Sequence, residues 1–115
     1  MVRGYTTIEQ SRKLAEILPL ESADMYHFIN DYNSDTVRIG YDKTVAEFYS
    51  KTQFEYIPCW SLAALLGVLP NENMLVKTID GEYYYLAKDV MTKHYDNPVD
   101  ACVAMIEKLY ELNLL

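Results

Sequence analysis

Residues 57–70, Ile57-Pro58-Cys59-Trp60-Ser61-Leu62-Ala63-Ala64-Leu65-Leu66-Gly67-Val68-Leu69-Pro70, carry no charged side chain and a single hydroxyl, and prolines stand near both ends. A run this apolar is expected to be buried, and it is too short to cross a bilayer, which takes about 20 apolar residues. Pro58 suits the first turn of a helix, where its missing N–H would have had no partner anyway. The spacing therefore predicts a helix from Pro58 to about Leu69, stopped at Pro70. Trp60 and Leu62 through Leu66 leave hardly any polar face, which predicts the most enclosed helix of the fold. Ala63, Ala64 and Gly67 would let a neighbouring element approach closely.

Downstream, Met74–Ile79 and Glu82–Leu86 are two apolar-rich runs joined through Asp80-Gly81, a pair that readily takes the positive φ angles of a type I′ turn. A hairpin is expected, with Tyr83 and Tyr85 on one face and Tyr84 and Leu86 on the other. Residues 88–96 read as a polar loop or strand end. Asn97 then caps a last helix, with Pro98 in its first position and Asp100 placed favourably against the helix dipole. Its apolar stripe is Val99, Cys102, Ile106, Leu109 and Asn113, widened by Val103, Met105, Tyr110 and Leu112. The tail, Leu114-Leu115, is expected to dock on the protein.

Upstream, Thr7 and Gln10 form a capping box, as Thr6 and Glu9 could. Ile8, Ser11, Leu14, Ala15 and Leu18 follow at helical spacing until Pro19. From Asp24 to Tyr41 the period becomes two, interrupted by the turn formers Asn30 to Asp35, which predicts a hairpin with a loose loop. Residues 42–56 read as a long connection with a short helix around Val45, Phe48 and Tyr49. Such connections are often functional or mobile, so order here is in question. The expected fold is α+β, one globular domain over residues 1–115, with about three helices on a small, mainly antiparallel sheet of about four strands.

A chain of 115 residues can bury a sizeable core without a metal or disulfide. Ten basic side chains against 17 acidic ones give a net charge of −7, which disfavours nucleic acid and anionic lipid as partners. Cys59 and Cys102, each within an apolar pattern, read as free buried thiols. With no apolar leader in the first eleven residues and no run long enough to span a membrane, a cytoplasmic location is expected.

No catalytic residue, cofactor motif or metal site is singled out. Cys59 is a better candidate nucleophile than Cys102, since it would sit near a helix N-terminus that favours thiolate, with His27 or His94 brought in as base. Cysteine is also among the most often buried residues, so packing competes with that role. The histidines lack ligand-type neighbours at helical spacing, and Asp31, Asp35 and Asp42 are too irregular for a calcium loop. The four glycines are isolated, so no phosphate loop exists.

Tyrosine is the remaining oddity, at 11 residues. High strand propensity alone would place many of them on a sheet face. An exposed tyrosine face would instead be a protein-binding site, because the ring gives large rigid contact at low entropy cost. Tyr83, Tyr85, Tyr41 and Tyr49 are the candidates, with alanine at Tyr83 and Tyr85 expected to leave the fold intact.

The blocks Tyr5–Tyr26 (YTTIEQSRKLAEILPLESADMY), Ile57–Pro70 and Asn97–Leu115 (NPVDACVAMIEKLYELNLL) resemble a family of short uncharacterised proteins from gut Bacteroides-type bacteria and their phages or mobile elements. The resemblance implies an accessory gene and carries over no site residue. The function expected is a non-enzymatic binding or accessory module that takes a protein partner or a second copy of itself. Two alternatives stand beside it. One is a small hydrolase or transferase built on Cys59. The other is an acidic DNA mimic with Asp31, Asp35, Glu47 and Glu55 along one face.

Overall fold

The computed structural model describes residues 3–30, 32, 34–71, 73–87 and 89–115. The first element is helix α1, Ile8–Ile17. Thr7 Oγ1 accepts the Gln10 amide N–H at 3.1 Å, and Gln10 Oε1 accepts that of Thr7 at 3.0 Å, so the expected capping box forms. After a 3-10 turn at Leu20–Ser22 come strands β1 (Met25–Ile29) and β2 (Asp35–Ile39), then helix α2 (Lys43–Tyr49) and strand β3 (Glu55–Cys59). Helix α3 (Leu62–Val68), strands β4 (Met74–Lys77), β5 (Tyr83–Ala87) and β6 (Val90–Met91), and helix α4 (Pro98–Glu111) complete the chain. The fold is α+β as expected, but its strands form two antiparallel three-stranded sheets, ordered β2-β1-β3 and β4-β5-β6. Asp31, Asn33 and Lys88 lie outside the described residues.

The expected helix from Pro58 is corrected. Residues 55–59 are a strand, and the helix begins at Leu62, capped by Ser61, whose Oγ accepts the Ala64 amide N–H at 3.1 Å. The register explains how a proline enters the sheet. In β1, Asn30 and Asp24 bond towards the β2 side (to Ser34 and Gly40), so the backbone groups of Tyr26 and Phe28 also face β2. Those of Met25, His27 and Ile29 therefore face β3, opposite Cys59, Ile57 and Glu55. Pro58 falls between bonded pairs, at a position whose absent N–H would have pointed away from β1. Only Leu65 of α3 is buried, while Ala63, Leu66 and Gly67 are exposed, so α3 is not the most enclosed helix. That role belongs to α4, which buries eight of its residues.

The second hairpin also departs from its expected turn. Gly81 N–H donates to the Thr78 carbonyl at 3.1 Å and Thr78 N–H to the Glu82 carbonyl at 2.8 Å, and Gly81 has φ +82° while Asp80 is not left-handed. This is a longer loop, a type I turn closed by a left-handed glycine, rather than a two-residue turn. At the end of α4, Leu112 is the C-cap and Asn113 (φ 58°) is the left-handed residue just past it, not part of the apolar stripe. Leu114 N–H reaches the Leu109 carbonyl at 2.8 Å and Asn113 N–H that of Tyr110 at 3.1 Å, a Schellman motif. Leu114 and Leu115 are exposed, not docked.

The core is a continuous cluster of Leu14 from α1 and Leu18 at its C-cap, Trp60, Leu65 from α3, Tyr85 and Ala87 from β5, and the inner face of α4. Helix α1 packs on β3, α4 packs on β5, and both α1 and α3 touch α4. Near the N-terminus, Arg3 Nη2 and Gln10 Nε2 each donate to Asp100 Oδ1 at 2.7 Å, tying the first residues to the start of α4.

Candidate functional site

Alternation sends the two faces of the first sheet to different fates. Its even-numbered face carries Tyr26 and Phe28 of β1, Tyr56 of β3, and Thr36 and Arg38 of β2. Helix α2 leans on β3 from this side and brings Tyr49 over the rings. Tyr56 stacks on Tyr26 (centroids 4.5 Å apart), Tyr41 (5.4 Å) and Tyr49 (5.8 Å). Phe28 meets Tyr49 edge-on at 5.1 Å and stacks on Phe54 at 5.7 Å. Such pairs are worth about 0.5–1.5 kcal/mol each beyond their buried area, enough to hold the short α2 in place. The Tyr56 hydroxyl accepts the Asp42 amide N–H at 3.0 Å. Burial raises the Tyr41 hydroxyl above its ordinary range, as do Tyr56 and Glu47, and it raises the Tyr56 hydroxyl against the opposing Asp42 N–H. At neutral pH both remain protonated.

Beside this stack runs a groove of about 620 Å³. Tyr26, Phe28, Thr36 and Arg38 form its floor, and Val45, Tyr49 and Asp42 its wall. Ile39 at its rim is 87% exposed, and Phe48 on α2 is exposed as well. Of the four expected tyrosines, Tyr49 lines the groove, while Tyr41 stacks on Tyr56 without lining it. The other two sit apart, on the second sheet. Tyr83 is half-buried with Lys77 above its ring, and Tyr85 is 3% exposed in the core. Tyr85 is therefore a packing residue, and its replacement by alanine would cost the fold. The sequence reading missed the site roles of Tyr26, Phe28, Tyr56 and Arg38. Their signal was present in the alternation, but reading Pro58 as a helix start hid the strand that puts Tyr56 beside Tyr26.

The odd-numbered face turns towards α1 and buries His27, 2% exposed, and Cys59, 0% exposed. His27 Nδ1 lies 3.1 Å from Asp35 Oδ2, and Nε2 lies 2.8 Å from the Thr6 carbonyl. Both ring partners are acceptors, so both nitrogens donate and the ring is an imidazolium. Burial opposes that charge, but the neighbouring Cys59 sulfur, the Thr6 carbonyl and the Asp35 carboxylate outweigh it and raise the pKa to about 9. Thr6 Oγ1 meets Ser11 Oγ at 2.7 Å and accepts the Trp60 amide N–H at 3.1 Å. Cys59 ends a strand and stands at no helix N-terminus, which corrects the reason for expecting an activated thiol. The His27 ring does stand beside it, but as an imidazolium it is no base, and the sulfur has no exposed surface for a substrate to reach. Burial also pushes the Cys102 thiol up to about 12. Neither cysteine should react with iodoacetamide in the native protein near neutral pH, and both should react once it is denatured. Intact-mass spectrometry reads this directly, and rapid native labelling at Cys59 would restore the cysteine-chemistry reading.

The acids proposed for a DNA mimic do not form a free row. Asp35 is engaged by His27, Glu55 is paired with Arg12 at 2.7 Å, and Glu47 rides on α2 beyond the opposite face. Asp31 lies outside the described residues. Among the described residues, no cluster of three His, Cys, Asp or Glu side chains is placed to hold a metal, and no helix is long and apolar enough to cross a membrane. No protein-family model, curated protein or solved structure matches the chain.

Proposed function

We propose that this protein is a non-enzymatic binding module that docks a protein partner in the aromatic groove beside α2, as an accessory factor of the kind that mobile elements encode. One observation carries the reading: a ring-walled groove of about 620 Å³ lies open beside exposed Ile39 and Phe48, with the Arg38 side chain on its floor. Interfaces concentrate this mixture of tyrosine, phenylalanine and arginine. Burial raises the pKa of the Tyr56 hydroxyl, so at neutral pH it supplies hydrogen bonding rather than charge. The accessory role rests on the resemblance of the terminal and central blocks to short bacterial proteins of that kind.

Photo-crosslinking tests it. A benzophenone side chain placed at Thr36 or Arg38 in natively expressing cells should capture a discrete adduct, with another protein or with the chain itself. The same group at Lys13 or Glu111, on the surface formed by α1 and α4, should capture none. Adducts only from the latter pair, or none from the groove, would reject the groove as the docking site.

A further inference from the structure

The groove runs along a strand edge that no other strand among the described residues pairs with. Strand β2 is the outermost strand of its sheet, paired only with β1. Gly40 N–H bonds to the Asp24 carbonyl and Asn30 N–H to the Ser34 carbonyl, which sets the alternation along the pair. The backbone groups of Thr36 and Arg38 therefore turn inward to β1, and the N–H and C=O of Asp35, Val37 and Ile39 turn outward to solvent. An open edge of this kind is a template for another strand. Arg38 projects into the groove and makes no ion pair among the described residues. The groove's carboxylate, Asp42, is already occupied as the cap of α2, accepting the Thr44 amide N–H at 2.8 Å. Arg38 is thus the groove side chain left to meet an acidic group, although the chain as a whole carries −7.

Resting on the groove reading above, we propose that the partner is an extended peptide segment that adds as a strand to the edge of β2, with an Asp or Glu side chain facing Arg38 and apolar residues on either side of it. The period of two dictates the pattern. A residue opposite Arg38 projects into the groove, and its neighbours project to the other face beside Val37 and Ile39, the latter 87% exposed. A second copy of the chain fits less well. Antiparallel pairing of β2 with itself about Val37 sets Arg38 beside Thr36 and brings no carboxylate to that face, since Asp35 points to the other face and is held by His27.

The test is selection of peptides from a random display library on the full chain, followed by affinity measurement with synthetic peptides. Enriched sequences should read apolar–acidic–apolar, and Arg38→Glu should turn the central preference to Lys or Arg. N-methylation of the two flanking apolar residues, which blocks their ladder bonds, should weaken binding at least tenfold. Val37→Pro should do the same, because the Val37 N–H faces outward and its loss breaks no bond to β1. The N-methylated peptides use the unaltered protein, so the result stands even if Val37→Pro fails to fold. Peptides that need Arg38 and Tyr49 but tolerate N-methylation, or that are proline-rich, would overturn strand addition and leave the groove standing. Binding indifferent to both Tyr49→Ala and Val37→Pro, or no enrichment, would overturn both readings. A dimer seen by sedimentation and dissolved by Val37→Pro would make the occupant a second copy and also overturn the peptide.

Discussion

Replacing His27 with glutamine should abolish a pH dependence of stability that the unaltered protein shows between about pH 6.5 and 9. His27 holds two acceptors from different parts of the chain: the Thr6 carbonyl, ahead of α1, and the Asp35 carboxylate, on β2. Its pKa is raised from 6.5 to about 9 in the folded protein. A group raised in this way binds its proton more tightly folded than unfolded, so its contribution is complete below 6.5 and is lost as pH climbs through 9. The shift, 9 minus 6.5, corresponds to about 3 kcal/mol at most. Denaturant titrations at several pH values should therefore show the unaltered protein losing stability across that window more steeply than His27→Gln. Parallel curves for the two proteins would mean that the ring is neutral and the assignment of two donors is wrong. His27→Ala should cost about 3 kcal/mol at pH 6, because it opens a cavity and removes the buried donors together.

The same residue shows how far the sequence could be read. Alternation placed His27 opposite Tyr26 and Phe28, and that is how the sheet divides, with the histidine inward and the rings outward. Caps were legible for the same local reason: Thr7 with Gln10 and Asn97 with Val99 need only their own few residues to bond. The long-range partners were not. Asp35 reads as a turn former until the hairpin register brings it beside His27, and Thr6 reads as an alternative cap until its carbonyl meets the imidazole. Pro58 misled because the two positions that excuse a missing N–H, a helix start and an outward strand site, look alike without the register. The apolar run after it misled in turn. Of seven helical residues only Leu65 is fully buried, with Leu62, Ala64 and Val68 packed at the core's margin, and Leu66 is exposed where burial had been expected. The groove inherited that error, since Tyr56 joins Tyr26 only if residues 55–59 are a strand.

Trp60→Ala should be the most damaging single change, costing about 4 kcal/mol. Trp60 is 0% exposed and follows directly on β3, so it carries the chain from the first sheet into the shared core. Its amide N–H donates to Thr6 Oγ1 at 3.1 Å, and its carbonyl accepts the Thr6 N–H at 3.0 Å. Its indole Nε1–H donates to Ser22 Oγ at 2.9 Å. Backbone bonds survive the substitution, so the loss is that of the ring: transfer of a large apolar surface, the cavity left among the core side chains, and the indole bond to Ser22, whose hydroxyl keeps its own bond to the Pro19 carbonyl. Trp60→Phe keeps most of the volume and gives up the Ser22 bond, which predicts a smaller cost of about 2 kcal/mol. A domain with a total stability of about 5–15 kcal/mol tolerates the second change far better than the first. Urea unfolding followed by far-UV circular dichroism orders the two variants. A loss below about 1 kcal/mol for Trp60→Ala would show that the two sheets hold together without the indole. The core would then have to be divided into halves that α4 and α1 join by themselves.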